Sequence, residues 1–170
     1  MSTLIIMTFD TENRAFDVLD EIKKDEKEKQ FEIEDAVVAT KDQHGKVHVK
    51  ETRDFTAKRG ALTGGAIGLV IGAVLAGPIG VLAVTGLGAL AGGLTSKAVD
   101  LGFSKDQIDM VSQSMHEGNS AIFLMLKGGK SDLLAAWANH APGHLVEFTV
   151  TEDAQVDASN YMATVGHINE

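Results

Sequence analysis

Short apolar runs of strand length occur near both ends of the chain. Residues 4–9 form a short apolar run rich in strand formers, residues 121–126 are fully apolar, and residues 145–150 form a third stretch of strand-forming side chains. Residues 31–40 and 46–52 predict a β-hairpin, because a polar turn that contains a glycine separates them. The pattern therefore predicts five strands.

Two amphipathic stretches predict helices. Apolar residues recur at helical spacing after the first strand, at Ala15, Phe16, Leu19 and Ile22. We expect Asp10 or Thr11 to cap this helix. Ser104 and Gln107 fit a capping box for a second helix, whose apolar stripe is Ile108, Val111 and Met115. A further short helix is expected to end near Ala138.

The order of these elements predicts an α+β fold. It is β-α-β-β, an apolar insert, α-β and again α-β, so that removing the insert leaves a ferredoxin-like βαββαβ plan with an extra C-terminal αβ unit. The two apolar runs suit central strands covered on one face by helices. We predict an α+β domain over residues 1–55 and 99–150, a helical hairpin insert over 56–98, and a polar, weakly structured tail over 151–170.

The insert contains a long stretch without charge. Residues 60–96 comprise 14 Leu, Ile or Val, 11 Gly, 7 Ala, 4 Ser or Thr and 1 Pro. Gly77 and Pro78 interrupt it, since proline removes a donor and clashes inside a helix. We therefore predict two antiparallel helices, over about 57–76 and 80–98.

Glycines recur in this insert mostly at a spacing of four. They are Gly60, Gly64, Gly68 and Gly72 on the first arm, and Gly80, Gly88 and Gly92 on the second. Such spacing places them on one helix face, where missing side chains allow another backbone to approach. The opposite faces carry bulky apolar residues, at Leu62, Leu69, Leu75, Leu82, Leu87, Leu90 and Leu94. We predict self-association through the glycine face.

The bulky faces of such a hairpin need a cover. Burying one Leu, Ile or Val side chain contributes about 1.5–3 kcal/mol, and a domain of about 100 residues is not expected to cover both sides of a protruding hairpin. Lipid or other subunits would then cover it. Each arm is about 17 residues, or about 25 Å, against a hydrocarbon core of about 30 Å.

Basic residues at the open end of the hairpin suggest an orientation. They are Arg53, Lys58, Arg59 and Lys97. The positive-inside rule would keep both termini cytoplasmic, at the cytoplasmic face of an inner membrane. No Trp or Tyr belt flanks the segment, which weighs against the membrane. The first residues lack a basic region and a cleavage site, so we expect no secretory signal.

Three stretches together resemble a known bacterial family. They are the first strand with its acidic helix, the glycine-rich hairpin over 60–93, and the run from Leu101 through Leu124. The family is that of predicted membrane proteins called domain of unknown function family 1269, and the resemblance covers about residues 2–150. It implies a ferredoxin-like domain with an inserted glycine-zipper hairpin and a stress or envelope role, without catalytic residues. The chain departs from it at Asn119, where a proline is expected.

Composition and motifs point away from catalysis. The chain has no cysteine, which excludes thiol chemistry, and a net charge of −9 disfavours nucleic-acid binding. Residues 128–131 resemble the end of a P-loop, but Leu124 stands where its first glycine is required. Residues 86–91 fit a dinucleotide pattern without the preceding strand. Histidine pairs at 44/48 and 140/144 lack a third metal ligand.

The sequence therefore predicts a non-enzymatic protein that assembles with itself at or in a membrane through its glycine-zipper hairpin. It predicts no catalytic residue, cofactor, metal site or small-molecule ligand. Two alternatives stay open. The first is a soluble cytoplasmic homo-oligomer, a ring or shell, with hairpins buried between subunits. The second is a regulatory module that binds a small ligand, as ferredoxin-like domains can.

Overall fold

Five strands and five helices make up the part of the chain that the structure, a computed structural model, describes: residues 1–29, 32–51, 65–75, 91–128, 137, 139 and 144–168. In chain order they are β1 (Ser2–Phe9), α1 (Arg14–Lys29), β2 (Ile33–Lys41), β3 (Val47–Glu51), α2 (Gly65–Leu75), α3 (Ala91–Asp100), α4 (Lys105–Ser114), β4 (Ser120–Lys127), β5 (Leu145–Val150) and α5 (Glu152–Ile168). The α+β class predicted from the sequence is confirmed.

The strands form one antiparallel sheet in the order β3-β2-β4-β1-β5. The apolar runs at 4–9 and 121–126 lie in the neighbouring strands β1 and β4, with Ser2 opposite Lys127 and Phe9 opposite Ser120. The hairpin of β2 and β3 and the strand at 145–150 also form as predicted. The sheet therefore places β1 and β4 at its centre.

Helices cover both faces of this sheet, so the prediction of one covered face is wrong. Leu4 and Ile6 of β1 join a core cluster with side chains of α2, α3, α4 and α5. Ile5 and Met7 point to the opposite face, where they join side chains of α1 and Trp137. Because successive strand residues point to opposite faces, the run of residues 4–7 must be apolar at each of its positions to serve two cores.

Serine side chains cap the first turns of α1 and α4. The Ser120 hydroxyl accepts the Ala15 backbone N–H at 3.2 Å and donates to the Thr11 carbonyl oxygen at 2.6 Å. This contact links β4 to the first turn of α1, where Asp10 or Thr11 was expected to act. Ser104 caps α4 as predicted, since its hydroxyl accepts the Gln107 backbone N–H at 3.4 Å.

The segment expected to be a weakly structured tail forms α5 instead. Thr151 begins the helix, because its hydroxyl accepts the Ala154 N–H at 3.1 Å and its carbonyl accepts the Gln155 N–H at 3.0 Å. Glu152 and Asp153 follow in the first turn, where negative charge favours the helix dipole. Helix α5 packs against α2, so this last part of the chain belongs to the core.

Candidate functional site

The predicted self-association residues fall partly within the described ranges. Gly68 and Gly72 lie in α2, and Gly92 lies in α3. Three of the predicted apolar residues are buried, namely Leu69, Leu75 and Leu94. The others lie outside the described residues: Gly60, Gly64, Gly80, Gly88, the predicted turn at Gly77 and Pro78, and Leu62, Leu82, Leu87 and Leu90. The candidate site is therefore the contact of α2 with α3 and α5.

Helix α2 is covered by its own chain. All eleven of its residues are buried, and it carries no charged side chain. It packs on α3, α4, α5 and β4. The expectation that the domain cannot cover both sides of this segment is wrong for residues 65–75, because α5 supplies a covering layer that the sequence interpretation did not include.

At Gly72, α2 lies in close contact with α3. A methyl group placed on its Cα would lie 2.8 Å from Cδ1 of Leu94, closer than real Cβ atoms come to other atoms. Leu94 is fully buried. A glycine of the predicted period thus serves a close helix contact, and here the partner is a side chain of the same molecule.

Helix α5 touches α2 and α3 through other glycines. A methyl group on Gly65 would lie 3.3 Å from Gln155 Nε2 and 3.4 Å from Ser159 Oγ. One on Gly93 would lie 3.0 Å from the Tyr161 hydroxyl oxygen. The φ angle of Gly65 is +71°, a conformation that other residues rarely adopt, so this helix start depends on glycine.

One polar atom in this contact is buried without a hydrogen bond. Gln155 Oε1 has no hydrogen-bond donor among the residues that the structure describes. Lys97, expected at a membrane boundary, places its Nζ 5.8 Å from the centre of the Tyr161 ring, a cation–π contact with α5. The contact of α2 and α3 with α5 therefore combines apolar packing with one amide oxygen that has no hydrogen-bond donor among the described residues.

Elsewhere, the polar groups form local structural contacts. In the β2–β3 turn Asp42 accepts the backbone N–H groups of His44 and Lys46 and contacts His48 Nε2 at 2.9 Å. These hydrogen bonds, above all that of His48, lower the pKa of Asp42 to about 2. One member of the first histidine pair thus binds a carboxylate, while His140 of the second lies outside the described residues.

A cavity of about 320 Å³ lies between α1 and Trp137. Its rim carries charges of both signs, from Glu21, Lys24, Asp25 and Glu28, above the apolar side chains of Val18 and Ile22. In the described part of the chain, no three His, Asp or Glu side chains converge in a way that could hold a metal ion. Among the described residues, the lining of this cavity contains no Ser, Thr or His side chain.

In the described ranges, none of the helices combines the length and the hydropathy that crossing a membrane requires. The family model described as "Protein of unknown function (DUF1269)" matches residues 61–161, more than half of the chain. The match includes α2, α3 and most of α5. Neither the curated proteins nor the solved structures contain a match to the chain. The family resemblance noted in the sequence is thus confirmed, and the chain belongs to the DUF1269 family of proteins of unknown function.

Proposed function

We propose that this protein is a non-enzymatic homo-oligomer whose subunits meet through the uncharged segment of residues 76–90. The observation that carries the proposal is the composition of the 15 residues that join α2 to α3. They continue the uncharged, glycine-rich pattern of α2, a helix that is fully buried. They include six large aliphatic residues, Ile79, Val81, Leu82, Val84, Leu87 and Leu90.

A second copy is a better partner for this segment than lipid. Helix α2 packs against β4, α4 and α5 while the domain is folded, so it is not available as the first arm of a spanning hairpin. Fifteen residues in one helix would reach about 22 Å, against a hydrocarbon core of about 30 Å. The net charge of −9 also opposes approach to an anionic lipid surface.

Glycine packing within the chain supports the same proposal. The Leu94 side chain packs against Gly72, which indicates that glycines of this stretch leave room for bulky side chains from a neighbouring helix. Gly80 and Gly88 continue the spacing in the segment 76–90. The corresponding partner side chains would come from a second copy, since small residues at a helix face allow close packing.

We also propose that the sheet follows the ferredoxin-like plan. The order β2-β4-β1-β5 supports this, because a split βαβ unit places one strand between two parallel strands that α1 connects. Strand β3 would then be the added edge strand and β5 a strand of the plan, whereas the sequence interpretation counted β3 within the plan and the last αβ unit, which contains β5, as the addition. The described polar contacts support a non-enzymatic role, since the pairs Asp42–His48 and Lys105–Asp109 lie on the surface outside the cavity.

Particle mass tests the proposal. We expect sedimentation of the full chain in plain buffer to give a multiple of the 18.0 kDa subunit mass. Replacing Leu82 by Glu should reduce the mass to one subunit, because an unpaired charge inside an interface is strongly unfavourable. The matched control is Val156→Glu, which adds the same charge at a position on α5 that is 58% exposed and should leave the mass unchanged.

Two results would count against this function. A single-subunit mass for the unmodified chain in plain buffer would rule out assembly. An unmodified chain that requires detergent or sediments with lipid vesicles would favour the membrane instead. Leucine substitutions at Gly68 are not a clean test, since Gly68 is buried in α2 and the change would disturb the fold itself.

A further inference from the structure

We draw no further inference here: the strongest candidate, the cavity of about 320 Å³ between α1 and Trp137, carries nothing, because its rim mixes the carboxylates of Glu21, Asp25 and Glu28 with the amine of Lys24 and nothing in the described part of the chain shows what would fill it.

Discussion

Substituting alanine for Gly72 tests whether this glycine serves close packing inside one chain. The added methyl group would lie 2.8 Å from Leu94 Cδ1. The Leu94 side chain has no exposed surface, so it cannot rotate away without displacing its neighbours. In an exposed helix the same change is favourable, because alanine has the higher helix propensity. The sign of the effect therefore reports on the contact.

The magnitude follows from two opposing contributions. Replacing glycine by alanine inside a helix stabilises it by about 1 kcal/mol. Forcing a methyl group into a close-packed core destabilises it by about 1–3 kcal/mol. We therefore expect Gly72→Ala to lower the free energy of unfolding by about 1 kcal/mol. Leu94→Ala alone should lower it by about 2–5 kcal/mol, since it leaves a cavity.

Urea unfolding followed by circular dichroism measures both changes and their coupling. In the double variant Gly72→Ala, Leu94→Ala the new methyl group has room. The double variant should therefore lose less free energy of unfolding than the sum of the losses in the two single variants, by about 1 kcal/mol or more. Gly93→Ala is the matched control, since Gly93 is exposed and its neighbour among the described residues is the Tyr161 hydroxyl at the end of a side chain, and we expect it to be neutral or stabilising. A stabilising Gly72→Ala with no coupling would refute the reasoning.

Three further predictions concern the rest of the fold. Ser120→Ala should lower the free energy of unfolding by about 1–3 kcal/mol, because the buried Ala15 N–H loses its acceptor and the Thr11 carbonyl loses a donor, whereas Ser114→Ala on an exposed helix face should change it by less than about 0.5 kcal/mol. The pKa of Asp42 is lowered to about 2, so the stability that its carboxylate contributes at the β2–β3 turn is present above about pH 4 and is lost as the pH falls through 2. NMR titration of this carboxyl group measures the pKa, and a midpoint near 4 would contradict the prediction. Trp137, the single tryptophan, is 2% exposed, so its fluorescence should resist quenching by iodide until the protein unfolds, and ready quenching of the native state would contradict its burial.

The sheet could be predicted because its central strands carry a strong signal. A mainly apolar run of about six residues fits a strand buried on both faces, and β1 and β4 are such strands. The one covered face expected for them contradicts this same signal, since polar residues would then alternate with apolar ones. The cap of α4 by Ser104 could also be predicted, because an N-cap depends on residues close in sequence. The contact of Ser120 with the start of α1 could not be predicted, because its two partners lie 105 and 109 residues away from Ser120.

Helix α5 was missed although the sequence contains its signals. Thr151 followed by Glu152 and Asp153 is a typical helix start, and Ala154, Ala158 and Met162 recur at a spacing of four. The stripe is weak because two of its three residues are alanines, which a search for large apolar side chains overlooks. The α5 side chains that lie near Gly65 and Gly93 are Gln155, Ser159 and Tyr161, which belong to no apolar stripe.

The burial of α2 shows why an apolar, glycine-rich helix need not face lipid. Its composition fits a membrane helix and an internal helix equally well, since both are apolar on all sides. What distinguishes the two is whether other helices of the same chain cover the helix. Here α5, from the part of the chain that looked least structured, joins the core around α2. The number of layers depends on distant elements, so the local pattern of residues 65–75 could not supply it.

The Gly72 double-mutant cycle also separates two explanations of the glycine spacing. If the spacing served self-association alone, Gly72→Ala would change the assembled mass and leave the stability of an isolated subunit unchanged or raised. If it serves packing within the chain, the stability of the isolated subunit falls and couples to Leu94.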